Sequence, residues 1–189
     1  MKYRSMLLVL ALSLVVLPLG AVINTQWLNV SYTSANHYGS MFTENQSQGY
    51  EFGYIFIIPY TSVGLSSRVA TTHSSEAKHT SVLLAPVYRK SLLGLLEGYF
   101  LFGPSYTQHE SKSSGTLESQ IGLGTGVGLR IPFASAIYGN LALTAGASAD
   151  ISIVRLIDNI STPAFASNIS YSVGLSYNFN PFYRLPLVP

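Results

Sequence analysis

The stretch "YSVGLSYNF", Tyr171 to Phe179, decides the fold. Odd positions carry Tyr171, Val173, Leu175, Tyr177 and Phe179, and even positions carry Ser172, Gly174, Ser176 and Asn178. Strict alternation is the period of a strand whose two faces meet different surroundings. One face is apolar and aromatic; the other is small and polar. The fold therefore turns on what lies against the apolar face.

The same period of two recurs upstream. In "QWLNVSYTS" one face holds Leu28, Val30 and Tyr32; in "GYEFGYIFI" Tyr50, Phe52, Tyr54 and Phe56 oppose Gly49, Glu51 and Gly53. "SVGLSSRVAT" sets Val63, Leu65 and Val69 against Gly64, Ser66 and Arg68. "SVLLAPVYR" is apolar on both faces, and Val82, Leu84, Pro86 and Tyr88 are placed outward. "EGYFLFGPSYT" groups Phe100, Phe102, Pro104 and Tyr106 against Glu97, Tyr99 and Gly103. "LESQIGLGTGVGLRI" opposes Ile121, Leu123, Val127 and Leu129 to Gln120, four glycines and Arg130. "NLALTAGASADISI" completes eight segments with Asp150 on its polar face. No helical period competes with this pattern.

Composition narrows the class. Charged residues make up 10% of the 189 residues, against roughly 25% in an average soluble domain. Hydrophobic residues make up 48%, yet beyond the first twenty-odd residues no apolar run is long enough for a spanning helix. Connections alternate between longer polar segments (35–47, 72–80, 108–116 and 155–167) and short links, as in membrane barrels with long outer loops and short periplasmic turns. There is no cysteine, so neither a disulfide nor a cysteine zinc site is available.

The polar face distinguishes a membrane barrel from a soluble one. It carries Gly, Ser, Thr and Asn with single charges of both signs: Glu51, Arg68, Arg89, Glu97, Glu118, Arg130 and Asp150. A solvated surface is richer in Lys and Glu, whereas small residues with a few balanced charges suit a narrow lumen. Glu51, Arg68, Glu97, Arg130 and Asp150 are expected to form a polar network there. The apolar face then meets lipid, and closing the sheet removes the edges that lipid cannot satisfy. The alternative is a soluble periplasmic lipocalin-like barrel around an apolar ligand.

The first residues, "MKYRSMLLVLALSLVVLPLGA", place Lys2 and Arg4 before an apolar core and small residues, the layout of a secretory signal peptide. Removal after Ala21 leaves eight basic and eight acidic residues, a neutral chain with no feature that suits nucleic acid. The expected organisation is a signal peptide over 1–21, a barrel over 22–180 and a tail over 181–189. The fold class is all-β: an eight-stranded antiparallel up-and-down transmembrane barrel.

The order of these segments resembles the Ail/Lom/OmpX family of small outer-membrane barrels, across essentially the whole chain after the signal peptide. "GYEFGYIF", "LLAPVYR", "GTGVGLRIPF" and "YSVGLSYNF" are similar to that family's second, fourth, sixth and last strands. Ser172, Gly174, Tyr177 and Phe179 match the general signal by which outer-membrane proteins are recognised for insertion. The family normally ends at that aromatic, whereas this chain continues with "NPFYRLPLVP". The resemblance implies an outer-membrane location. It implies a surface protein in adhesion or host interaction, with a structural envelope role as the competing reading; its partners would be outer-membrane lipid and lipopolysaccharide, the barrel-assembly machinery, and host surface or matrix molecules met by four outer loops. Those loops carry Lys78, Lys112 and Arg155 against Glu44, Glu76, Glu110 and Asp158, a near-neutral balance that weakens a polyanion-binding role.

His37, His73, His79 and His109 all fall in or beside the expected loops. Their spacing is not that of a metal site, so the expectation is solvated histidines with no metal and no cofactor. A lipid A-modifying enzyme is the catalytic alternative, with Ser75 in "HSSE" or Ser111 in "HES" as nucleophile. Such triples arise easily in serine-rich loops, and a non-enzymatic role is expected.

Overall fold

A computed structural model describes residues 26–39, 46–58, 61–92, 96–136, 139–157 and 160–179. The expected signal peptide and tail lie outside the described residues. Eight strands follow in order: β1 (Gln26–Tyr38), β2 (Gln46–Ile57), β3 (Val63–His73), β4 (Ala77–Leu92), β5 (Leu96–Ser111), β6 (Leu117–Ala136), β7 (Gly139–Ile157) and β8 (Ile160–Phe179). Each pairs antiparallel with its neighbour, and β8 pairs with β1 from Gln26↔Phe179 to Tyr38↔Ser167, closing the barrel. Sequential neighbours joined by hairpins need no crossover, so local alternation and short turns are enough to specify this topology.

The phase is the expected one. Leu28, Val30 and Tyr32 point out, as do Phe52, Leu65, Leu84, Phe100, Leu123, Val127, Ile151 and Val173. Arg68, Arg130 and Glu51 are buried in the lumen. In β4, Leu84 and Tyr88 face outward while Leu83, Ala85 and Val87 face in, which resolves the segment that is apolar on both sides. The inward set joins Trp27, Ile55, Ile57 and Leu101 in an apolar cluster, against which Tyr99 packs. Part of the lumen is thus filled with hydrocarbon, a feature that the polar-face pattern does not show.

Pro86 and Pro104 have a visible effect. The β4–β5 ladder runs to Leu83↔Ser105 and resumes at Val87↔Leu101. Both prolines fall in the gap, where neither has an N–H to donate. In β7 the register shifts at Ser152/Val154 toward β8 and at Ile121/Gly122 of β6, so Ile153 has no partner on either side. This is a bulge, with Pro163 beside it on β8.

The expectation of long polar loops needs correction. Strand β4 begins at Ala77, directly after a tight turn in which Ser74 N–H donates to the Ala77 carbonyl (2.9 Å). Strands β7 and β8 are separated by two residues. The polar residues of 72–80, 108–116 and 155–167 are mostly ladder, because outward polar and inward polar side chains mask the alternation there. The two central turns are tied together: Lys112 N–H donates to the Glu76 carbonyl (2.9 Å), and its ammonium donates to the Ser74 carbonyl. Gly115, at φ +69°, supplies the left-handed residue that the β5–β6 turn requires.

Candidate functional site: the lumen and its histidine cluster

The lumen has three tiers. Toward the barrel end that bears Gln26 and Phe179, Arg130 faces Glu97 (Nη1 to Oε2, 3.4 Å), and Arg89 approaches the same carboxylate (Nη1 to Oε1, 3.5 Å). The Arg130 guanidinium lies 3.4 Å from the Trp27 ring centroid, a cation–π contact, and its Nη2 donates to Asn29 Oδ1 at 3.4 Å. A β-carbon at Gly128 would fall on the Tyr99 ring, so glycine there makes room for the aromatic.

In the middle tier Arg68 makes a two-pronged pair with Glu51: Nε to Oε1 at 3.1 Å and Nη2 to Oε2 at 2.5 Å. Fork-to-fork pairing is the strongest arrangement that these groups make. Asp150 lines the same small cavity as this pair. The five acidic and basic residues singled out above therefore do not form one network. Glu51, Arg68 and Asp150 lie together; Glu97 and Arg130 lie apart, near the apolar cluster.

The third tier occupies the end farthest from Gln26 and Phe179. There Arg155 Nε meets Glu118 Oε1 at 3.0 Å, and Gln120 donates to the same oxygen at 2.7 Å. Arg155, expected in a loop, belongs to β7.

The histidines need the second correction. His37, His79 and His109 are 3%, 2% and 0% exposed, whereas His73 is exposed. His79 and His109 stand directly opposite on β4 and β5, and their Nδ1 atoms meet. His37 reaches across the lumen from β1, stacking on His79 with ring centroids 4.0 Å apart and meeting His109 edge-on at 5.2 Å. One nitrogen from each ring lies within 4.8 Å of the others. Spacing along the chain could not reveal this, because the convergence comes from barrel closure.

His37 is oriented from both sides: Nδ1 contacts Asn168 Oδ1 at 2.9 Å and Nε2 contacts Ser47 Oγ at 2.7 Å. Ser47–His37–Asn168 has the connectivity of a nucleophile, base and orienting group. Ser47 is 2% exposed and shares its hydroxyl with Thr72 Oγ1 at 2.7 Å. Of the sequence-stretch candidates for a nucleophile, Ser75 sits exposed on the β3–β4 turn and Ser111 Oγ contacts Ser113 Oγ at 3.2 Å. Of the insertion-signal residues, Ser172 faces the lumen, Gly174 and Tyr177 are half-buried, and Phe179 pairs with Gln26 and Gly139.

No protein-family model and no curated protein matches the chain by sequence. Solved structures match it in fold. Neisserial surface protein A is 14% identical with a TM-score of 0.56, over 82% of this chain and 97% of that one. Ail, the attachment invasion locus protein of Yersinia pestis, is 17% identical with a TM-score of 0.54, over 84% of this chain and 100% of Ail. A second Ail structure, in complex with the heparin analogue sucrose octasulfate, matches at 16% identity with a TM-score of 0.53. The outer membrane protein OprG of Pseudomonas aeruginosa is 10% identical with a TM-score of 0.54, over 83% of this chain and 96% of OprG. The chain thus shares the closed-barrel fold of these outer-membrane proteins.

Proposed function

We propose that this protein is an exported outer-membrane barrel that acts at the cell surface and is not an enzyme or a wide pore. The observation that carries this is the outward belt: Phe52, Val127 and Val173 are 60%, 54% and 65% exposed, and apolar side chains ring the whole wall. A continuous apolar belt of that size is unsuited to water and suited to lipid. Aromatic side chains border it, with Tyr32 and Tyr50 in edge contact at 5.9 Å on one side and Tyr88 opposite Phe100 toward the other. The lumen supports the same reading. Ion pairs and the Trp27–Leu101 cluster pack it, and the cavity beside Glu51 and Arg68 has a volume of about 40 Å³, too little for an apolar ligand or a wide channel.

In this reading residues 1–21 direct export, residues 22–180 form the barrel, and Ser172, Gly174, Tyr177 and Phe179 engage the barrel-assembly machinery. The end bearing the histidines faces out of the cell, and its rim contacts lipopolysaccharide or host molecules. Ail is solved with a heparin analogue. The rim here mixes exposed Lys78 and Lys112 with Glu76 and Glu110, so adhesion in this chain rests on rim shape more than on positive charge. Electrophoresis of the outer-membrane fraction in SDS, unheated beside boiled, tests the membrane placement. A heat-dependent mobility shift is expected. A soluble periplasmic protein without that shift overturns it. For the surface role, a non-adherent strain expressing the protein should gain binding to host cells and lose it when the β3–β4 and β5–β6 turns are replaced. Mass spectrometry of lipid A from strains overexpressing the parent protein, Ser75→Ala or Ser111→Ala tests for catalysis, with unchanged lipid A expected in all three.

A further inference from the structure

We infer that His37, His79 and His109 form a binding site for a borderline divalent transition-metal ion, with Zn²⁺ as the reference ion. Three of the four histidines in the chain converge on one point, although they come from β1, β4 and β5. Neutral imidazole is the common ligand for zinc, copper and nickel, and histidine with an ordinary pKa near 6.5 is mostly neutral at the pH of a neutral medium.

The geometry is that of a three-ligand site. Two Nδ1 atoms already face each other across the β4–β5 pair. Such a contact is attractive only when one nitrogen carries a hydrogen and the other a lone pair. A metal cation draws on both Nδ1 lone pairs once the hydrogen between them has moved to its ring's Nε2, which leaves both rings neutral. Zn–N bonds of about 2.0–2.1 Å place tetrahedral nitrogens roughly 3.4 Å apart. The nitrogens now lie within 4.8 Å of one another, and binding an ion requires His37 to turn off its stack on His79.

The surroundings supply the remaining parts. Asn168 Oδ1 holds His37 Nδ1, the kind of acceptor that fixes a ligand tautomer and leaves Nε2 for the metal. Ser47, now on Nε2, has Thr72 Oγ1 at 2.7 Å as a second partner to which it can turn. Glu118, opposite His109 on β6, brings a carboxylate near the cation. The cavity bordered by His37 and His79 runs to Glu51, Arg68 and Asp150, and its volume of about 40 Å³ suffices for a water as fourth ligand. Along β1, His37 is five positions past Tyr32, about 16 Å of strand. The site stands independently of the membrane placement.

The test uses the full chain folded in detergent micelles, freed of metal with a chelator, and titrated with Co²⁺ and then Zn²⁺. One Co²⁺ per chain is expected, with the intense ligand-field absorption of a four-coordinate ion, displaced by stoichiometric Zn²⁺. His79→Gln and His109→Gln should abolish the absorption, and His73→Gln should leave it unchanged. Asn168→Ala, which removes only the orienting contact, should weaken binding about 10–100-fold. Where a variant fails the heat-shift test for folding, X-ray absorption on the zinc-loaded parent decides, with three imidazole nitrogens expected. The proposal is overturned by a parent that binds no Co²⁺, by binding that survives loss of His79 and His109, or by a zinc shell with fewer than two imidazoles.

Discussion

Replacing Glu51 with alanine removes one half of the most tightly joined ion pair in the lumen. Arg68 and Glu51 side chains are each 9% exposed, and two hydrogen bonds join them. Truncating one partner of a buried pair leaves a desolvated charge and costs about 3–5 kcal/mol. Two features place this case at the low end. Asp150 borders the same cavity, and that cavity has room for water. We expect Glu51→Ala to lose about 3 kcal/mol, and the Glu51→Ala/Arg68→Met double variant to recover most of that loss because no charge is then stranded. The assay is reversible urea unfolding in phospholipid vesicles, followed by fluorescence of Trp27. This is the one tryptophan of the chain, 2% exposed and stacked on Arg130. A loss below about 1 kcal/mol for Glu51→Ala, or a double variant no more stable than the single one, would refute the argument that the pair is desolvated.

Other predictions address the wall, the packing and the rim. Val127→Arg puts a charge on the outward belt and should cost about 2–4 kcal/mol in bilayers; a change within 0.5 kcal/mol, about the size of a neutral surface substitution, would contradict lipid contact there. Gly128→Leu should destabilise by about 1–3 kcal/mol through overpacking against Tyr99, and adding Tyr99→Ala should relieve it, as measured by the same unfolding assay. On immobilised heparin the folded protein should elute at low salt, given the mixed charge of its rim; retention to high salt would show that the rim is more basic in effect than its composition.

The period of two made seven of the eight strands and their phase legible, because each side chain's face depends only on its neighbours along one strand. Charge on the small-residue face made the lumen legible for the same reason. Strand β4 was ambiguous, since Leu83 and Leu84 are equally apolar and only pairing with β3 and β5 decides which one enters the cluster with Trp27 and Leu101. The strand ends were hidden where polar residues occupy both faces, so ladder passed for loop. The division of the charged residues into separate tiers depends on stagger between strands, which no single strand encodes. The histidine cluster was wholly beyond the sequence. His37, His79 and His109 lie far apart along the chain, and their meeting requires the β8–β1 closure that carries one wall of the lumen against the opposite one. By itself the sequence determined alternation, strand count and facing, which are local. Tertiary structure alone decided which side chains meet across the lumen, because a closed barrel brings into contact residues that share neither a strand nor a turn.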